Sequence, residues 1–385
     1  MTERKTIVYV SSTASLLAMF WRPLMRRMAA SGWRVIALTP PGPSWSRLDE
    51  PGIEHRPLDV ARRLGAARTH ARTVSSLHHV YSRLRPQVVH HFTANPVIYG
   101  SLAARAAGVP CIVNSLPGLG AVFTSRRWDA GLLRIWVLFA CRLAARLGHG
   151  RTVVQNRADL DLLVGRRIVA ADRAVLVRGS GVDLDQFRPL PEPDGEPTVL
   201  LCARMLWSKG VGDLVAAARI LRARGVSLRL VLAGPADEAH HDGVAVAQLE
   251  RWQAEGIAVW LGMRDDMPAL YAAAHVVALP TTYGEGLPSV LVEAAASGRA
   301  IVASDAPGCR EVVDHERNGL LVPAGDVPAL ADAVQRLLAD RARRAAMGRC
   351  GRERAIAEFD RVSILAQVMA LYACLRGEAH ERQAA

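Results

Sequence analysis

Four residues carry the strongest chemical signal in this 385-residue sequence: Arg204, Lys209, Glu285 and Glu293. Arg204 and Lys209 bracket the turn Arg204-Met205-Leu206-Trp207-Ser208-Lys209-Gly210, between an apolar run and an amphipathic one. Two fixed cations beside the free N–H groups of a helix start make an anion site. Two solvated surface charges fit the same residues. The turn Tyr283-Gly284-Glu285-Gly286 in the same half tips the pair toward a diphosphate. Glycines flank Glu285 on both sides, so backbone can approach a ligand closely there. Glu293 lies in Val290-Leu291-Val292-Glu293-Ala294-Ala295-Ala296, a run apolar enough to be buried, where a lone acid is costly without a partner. Eight helical residues end about 80° from a whole number of turns, so both acids can look toward one opening. The plainer reading keeps both in solvent, with Glu285 offsetting a helix dipole.

The elements that must hold these residues follow from periodicity. Lys5 to Val10 reads as a first buried strand, Leu16 to Ser31 as a helix stopped by Gly32, and Trp33 to Leu38 as a second strand. This βαβ opening implies a parallel sheet. Its first turn, Ser11-Ser12-Thr13-Ala14-Ser15, is polar and is not a dinucleotide fingerprint. Helix Val60–Leu84, a strand over 87–91, helix Asn95–Ala107 and strand Val109–Val113 continue the alternation, and strands at 151–155 and 174–177 complete it. The loop Asn114-Ser115-Leu116-Pro117-Gly118-Leu119-Gly120 then leaves a strand's carboxyl end, where open α/β sheets place ligands. Arg126-Arg127 follows it.

Arg188-Pro189-Leu190-Pro191-Glu192-Pro193-Asp194-Gly195-Glu196-Pro197 has four prolines and a glycine in ten residues, and reads as a linker. A second β/α series starts after it, with strands at 198–202, 228–233, 259–262 and 275–279. A helix over 327–338 and one from Ala342 to Leu375 finish the chain. The division expected is an N-terminal domain over 1–187, a linker over 188–197, a C-terminal domain over 198–360 and a helix and tail over 361–385. The fold class is α/β, with two Rossmann-like domains facing a cleft.

Composition narrows the function. Net charge is +12, and residues 1–190 hold 27 basic against 11 acidic residues, so the basic excess belongs to the first half. Nearly all of it is arginine, which suits phosphate contacts. A coding bias toward arginine would make both halves basic alike. An anionic partner for the N-terminal half fits better: a membrane surface, a lipid phosphate or nucleic acid. Nucleic acid is disfavoured, because aromatics are 5% of residues and base-stacking platforms are scarce. Six scattered cysteines without CxxC spacing suggest neither zinc nor disulfides and fit a reducing compartment. His70, His78, His79, His90 and His91 invite a metal reading, but no acid stands near His90-His91, and a structural or substrate-facing role fits them better. No signal peptide is visible, and the best membrane candidate, Gly131–Gly148, is interrupted by three arginines. That segment reads as a core helix with snorkelling arginines or as one lying on a membrane surface.

The motifs together resemble the GT-B glycosyltransferases of family 4, a retaining group common in bacterial polysaccharide and glycan assembly. Gly179-Ser180-Gly181-Val182-Asp183 to Phe187 is similar to the family's domain junction, and Arg204 with Lys209-Gly210 to its phosphate pair. Leu261-Gly262 to Asp266 and Leu270-Tyr271 resemble its base loop. Glu285 to Glu293 has the spacing of its paired-glutamate motif. Leu116 to Phe123 resembles a subset that extends undecaprenyl-diphosphate-linked sugars.

The resemblance implies a GT-B fold with a C-terminal helix crossing back to the N-terminal domain. It implies that Arg204 and Lys209 neutralise the departing diphosphate, that Glu285 contacts the donor sugar and that Glu293 binds the ribose hydroxyls. Gly284, Gly286 and Leu287 would present backbone to the donor, and Gly262, Met263 and Arg264 would bracket the base. Ser12, Thr13, Asn114, Gly118, Gly120, Arg126 and Arg127 would serve the acceptor or its phosphates. No cofactor or metal is implied, since Arg, Lys and helix starts supply positive charge.

The function expected is transfer from a nucleotide sugar, a UDP-sugar in the first instance, to a lipid-linked anionic acceptor on the inner face of the cytoplasmic membrane. The other readings are a non-transferring nucleotide-sugar epimerase and a non-catalytic module that binds nucleotide sugar or lipid phosphate.

Overall fold

The structure is a computed structural model in which residues 5–42, 44–58, 67–118, 142 and 150–384 are described. The chain divides into two compact units, residues 1–180 with 364–385, and residues 181–363.

The central strands of both units are near-continuous apolar runs, the pattern of strands covered on both faces, whereas the edge strand over 53–57 is largely polar. In the first unit they are β1 (Thr6–Ser11), β2 (Arg34–Thr39), β3 (Ile53–Pro57), β4 (Val88–Phe92), β5 (Cys111–Leu116), β6 (Arg151–Val154) and β7 (Ala174–Leu176). They form a parallel sheet in the order β3-β2-β1-β4-β5-β6-β7. The second unit has β8 (Thr198–Cys202), β9 (Arg229–Ala233), β10 (Val259–Trp260), β11 (Val276–Leu279), β12 (Ala300–Ser304) and β13 (Gly319–Val322). Its sheet is also parallel, in the order β10-β9-β8-β11-β12-β13. In each sheet the winding reverses once, between β1 and β4 and between β8 and β11. Loops leaving the carboxyl ends of such neighbours diverge and open a crevice.

Several expectations change. β3 was not expected. The first helix starts at Ala14 and contains a π-turn over Leu17–Trp21 before its α-helical remainder, Arg22–Ala30. Asn114 lies inside β5 rather than in the loop after it. The final helix is two helices, Arg341–Glu358 and Arg361–Ala384. Asp360 breaks it, because its carboxylate accepts from the Ser363 N–H at 3.0 Å and the Val362 N–H at 3.3 Å and so caps a new helix start.

By length and composition the second of these helices is apolar enough to cross a membrane over 361–381. One side of it packs inward: Ile364, Leu365, Val368, Tyr372 and Leu375 are buried in the first unit's core with Ile7, Tyr9, Leu17 and Trp21, while Val362 is 59% exposed. The Gly131–Gly148 segment, apart from Arg142, lies outside the described residues.

The proline-rich stretch 188–197 is strapped onto the second unit. Arg299, 2% exposed, donates to the carbonyls of Leu190 (3.0 Å) and Pro191 (3.2 Å), and Arg344 grips Glu192 through two 2.8 Å bonds. The division between units falls earlier, after Ser180. Gly181 follows it with φ +71°, pressed so closely on Arg361 that a Cβ would lie 2.5 Å from its Cα. Val182 N–H donates to the Phe359 carbonyl and Arg361 N–H returns to the Val182 carbonyl. Prolines make a segment stiff as readily as they make it a spacer, and here exposed carbonyls with buried arginine donors fix it in place.

Candidate active site

The loops leaving β8 and β11 meet at the second unit's reversal point. Gly210 makes the meeting possible: its φ is +75°, and a Cβ there would lie 2.1 Å from the Pro280 carbonyl oxygen. The Ser208 carbonyl then gathers four donors from the other loop, Thr282 N–H (2.8 Å), Tyr283 N–H (3.1 Å), Thr281 Oγ1 (3.1 Å) and Thr282 Oγ1 (3.3 Å). This stitching brings Lys209 Nζ onto Glu285 Oε1 as an ion pair whose side chains are 17% and 12% exposed. Thr281, fully buried, places Oγ1 3.3 Å from the same carboxylate oxygen. The Tyr283 ring lies 5.2 Å from Lys209 Nζ, within cation–π range. From behind, Gly308 supports the turn: a Cβ there would lie 2.6 Å from the Glu285 carbonyl and 2.7 Å from that of Gly286.

Two helices start at this point, Val211–Ala223 after Gly210 and Ser289–Ala296 after Pro288, and neither start is capped by a side chain. Uncapped N–H groups and a helix dipole favour an anion in front of them. Arg204 stands at the head of the same loop, half exposed, with Nη1 3.0 Å from Asp237. Lys209 and Arg204 are thus brought to one crevice, each with its own carboxylate.

Glu293 has a different setting. Glu285 precedes the helix start at Ser289, so the helical spacing that would aim both acids alike does not apply. Glu293 keeps a small opening to solvent, but its carboxyl is packed deeply enough that lost hydration raises it to about 7. The Tyr271 hydroxyl, 2.9 Å from Oε2, and the charge of Arg361 act in the opposite direction. A carboxyl held near neutrality beside one hydroxyl donor suits recognition of other hydroxyls.

The base-loop candidates are partly committed. The Gly262 carbonyl accepts from Gly234 N–H at 2.7 Å, and Arg264 pairs with Asp266 at 2.8 Å. Met263 is 51% exposed. Gly284, Gly286 and Leu287 lie in the Glu285 turn, with Gly286 buried.

In the first unit, Ser12 and Thr13 follow β1 at the β1/β4 reversal point, and Ser12 Oγ lies 2.9 Å from Thr93 Oγ1. Sequence reasoning missed Thr93. Its φ of +71° with ψ of 159° is a conformation that a β-branched residue adopts only under strain, of order 1–3 kcal/mol. Asn114 is a correction. It is 3% exposed and bonded to His91 Nδ1 (2.9 Å) and Ser101, so it is a core residue rather than an acceptor contact. His90, fully buried, pairs with Tyr372 (2.6 Å) and Ser115 (2.7 Å). Burial drives His90 well below its usual range and His91 to about 4, so both are neutral structural residues. Gly118 follows β5. Gly120, Arg126 and Arg127 lie outside the described residues.

Comparison with known proteins decides the class. A model described as glycosyl transferase 4-like matches residues 6–149, and one described as glycosyl transferases group 1 matches 196–340. Alpha-maltose-1-phosphate synthase of Mycolicibacterium smegmatis is 33% identical over 316 residues, covering 74% of this chain and 78% of that one. This chain is a GT-B glycosyltransferase of family 4. A second relative is N,N'-diacetylbacillosaminyl-diphospho-undecaprenol alpha-1,3-N-acetylgalactosaminyltransferase of Campylobacter jejuni, 26% identical over 71% of this chain and 73% of its own length. Among solved structures, sucrose-phosphate synthase from Thermosynechococcus elongatus superposes with a TM-score of 0.81 at 25% identity, over 97% of this glycosyltransferase and all of that chain.

Proposed function

We propose that this glycosyltransferase moves a sugar from a nucleoside diphosphate donor, a UDP-sugar in the first instance, to a lipid-linked saccharide, with retained anomeric configuration. The observation that carries the reading is the Lys209–Glu285 pair, held at the β8/β11 reversal point with Arg204 at the head of the same loop. When the sugar–phosphate bond breaks, charge develops on the diphosphate. Lys209, Arg204 and the two uncapped helix starts offset it without rearrangement. Glu285 then exchanges its partner for the donor sugar. Glu293 and Tyr271 take the ribose hydroxyls. The acceptor hydroxyl attacks from the side the diphosphate leaves, and the departing phosphate oxygen receives its proton. In this reading the protein's own cations do the work that a divalent metal does elsewhere.

The lipid-linked acceptor is favoured by the Campylobacter relative, whose name specifies an undecaprenyl-diphosphate-linked substrate. The basic excess of residues 1–190 supports a peripheral position on the inner face of the cytoplasmic membrane, where anionic head groups concentrate the acceptor. The test is a donor screen that reads UDP and GDP release with isolated lipid-linked acceptors, on wild type, Glu285→Ala and Lys209→Ala. Acceptor-dependent release that Glu285→Ala abolishes and Lys209→Ala strongly lowers supports transfer. Release without acceptor points to an epimerase, and binding without release to a non-catalytic module. Transfer that survives both substitutions overturns the assignment.

A further inference from the structure

The cations of the site do not hold themselves in place. Besides its buried side chains, the loop 204–209 is held by its backbone, which is clamped from one side by the loop that follows β9. The two run together from the start. Gly234 has φ +144°, and a Cβ there would lie 1.7 Å from the Ala203 carbonyl oxygen, so only glycine lets the chains pass. Met205 N–H then donates to the Pro235 carbonyl (2.9 Å), Trp207 N–H to the Asp242 carbonyl (2.9 Å), and Val244 N–H returns to the Met205 carbonyl (2.9 Å). Met205, Leu206 and Val244 are buried at this seam.

We propose that loop 235–244 is the element that aims the two cations at the donor diphosphate, with Asp237 and Asp242 as its positioning residues. This rests on the function proposed above. Asp237 Oδ2 takes a single nitrogen of Arg204, Nη1, at 3.0 Å. An end-on contact fixes the direction of the guanidinium while leaving its other edge for a phosphate, because the group carries five N–H donors in a rigid plane. Asp242 Oδ2 accepts from Ser208 N–H at 3.0 Å. Ser208 is the residue whose carbonyl collects Thr281, Thr282 and Tyr283, and it precedes Lys209. Asp242 therefore holds the N–H side of the residue whose carbonyl joins the two donor-binding loops. The loop is itself pinned: His240 N–H donates to the Asp237 carbonyl (3.0 Å), Gly243 N–H to the His240 carbonyl (2.8 Å), and a Cβ on Gly243 would lie 2.1 Å from the Asp237 carbonyl oxygen. Neither aspartate belongs to the phosphate, sugar or ribose contacts described above.

The opposite possibility is that Asp237 competes with the diphosphate for Arg204. Sign separates the two. The experiment is calorimetric titration of the full chain with UDP, GDP and their nucleosides, on wild type, Asp237→Ala, Asp237→Glu and Asp242→Asn, with the thermal midpoint of each. Positioning predicts that Asp237→Ala and Asp242→Asn weaken nucleoside diphosphate binding about tenfold, the scale of one lost hydrogen bond to a charged group. Nucleoside binding should stay unchanged, which a damaged fold would not permit, and Asp237→Glu should recover most of the loss. Diphosphate binding that is unchanged or tighter in Asp237→Ala, or equal loss for diphosphate and nucleoside, overturns the inference. A wild-type protein that binds neither UDP nor GDP overturns the proposed function as well.

Discussion

Lys209 and Glu285 are 76 residues apart in sequence and form one ion pair across the reversal point of the second sheet. Each is the other's partner, and the function proposed above gives each a part of the donor to take. In the proposed reading the cation passes to the diphosphate and the carboxylate to the sugar.

Separate roles imply separate losses. Lys209→Ala should weaken nucleotide binding and lower turnover by about 10²–10³-fold, the usual effect of losing one charge-stabilising group. Glu285→Ala should abolish turnover while nucleotide binding persists, because Arg204 and the helix starts remain. Nucleotide release and calorimetry distinguish the two. If both variants show only a raised donor KM, the division of labour is wrong.

If Glu293 binds the ribose hydroxyls, donor binding should depend on pH. Its folded carboxyl sits near 7, above the ordinary value of 4.5, because burial disfavours the charge. Its contribution to folding is fully present below about 4.5 and is lost as pH rises through 7. Glu293→Gln should therefore gain stability relative to wild type across that window and match it in acid. As the ionised form is the better acceptor of ribose hydroxyls, donor KM should fall as pH rises through neutrality. Tyr271→Phe removes a bond that favours ionisation, and should move that fall to higher pH. A KM profile that is flat from pH 6 to pH 8 would contradict the ribose assignment (roughly one unit either side of a midpoint near 7).

Gly210→Ala should separate the catalytic pair. The substitution meets both a left-handed backbone and the Pro280 carbonyl at 2.1 Å, so the two loops must part. A stability loss of about 1–3 kcal/mol is expected, together with loss of transfer. Gly308→Ala pushes only on the Glu285–Gly286 turn, and should impair transfer at less cost to stability. Urea denaturation beside turnover measures both.

Arg344→Ala tests the strap. Arg344, 5% exposed, holds Glu192 bidentately and also donates to the carbonyls of Leu337 and Leu338. Removing one partner of a buried pair costs about 3–5 kcal/mol. Denaturant midpoints should fall accordingly, while the donor KM of the folded fraction stays near wild type.

A chelator should leave transfer intact if Lys209, Arg204 and the helix starts supply the positive charge. Turnover measured with and without excess EDTA checks this, and loss restored by one divalent ion would refute it.

The alternation of strands and helices was legible because parallel strands covered on both faces must be apolar throughout, and β1, β8 and β12 announce themselves that way. Glu293 was legible as a costly acid in an apolar run. The break at Asp360 was not, since helix formers stand on both sides and only the cap geometry ends one helix and begins the next. Asn114 was misread because a polar residue at a strand's end looks like a loop until His91 and Ser101 are seen to satisfy it. One signal went unused: Lys209 and Lys5 are the only lysines among 48 basic residues. A chain that uses arginine almost everywhere and keeps a compact ammonium between Glu285 and Tyr283 marks that position.

The sequence by itself determined the two β/α series, the order of their strands along the chain and the residue types at the strand ends. Local propensity and apolar patterning are enough for that. Which charges meet was decided only by the tertiary structure. Lys209 pairs with Glu285, Arg204 with Asp237, and Glu293 with Tyr271, and none of these follows from spacing. The first depends on loops converging at the sheet's reversal point, the second on the loops after β8 and β9 running together, and the third on two helices, Met267–Ala272 and Ser289–Ala296, lying side by side. Glycines at 210, 234 and 308 let the loop backbones approach more closely than any side chain would allow.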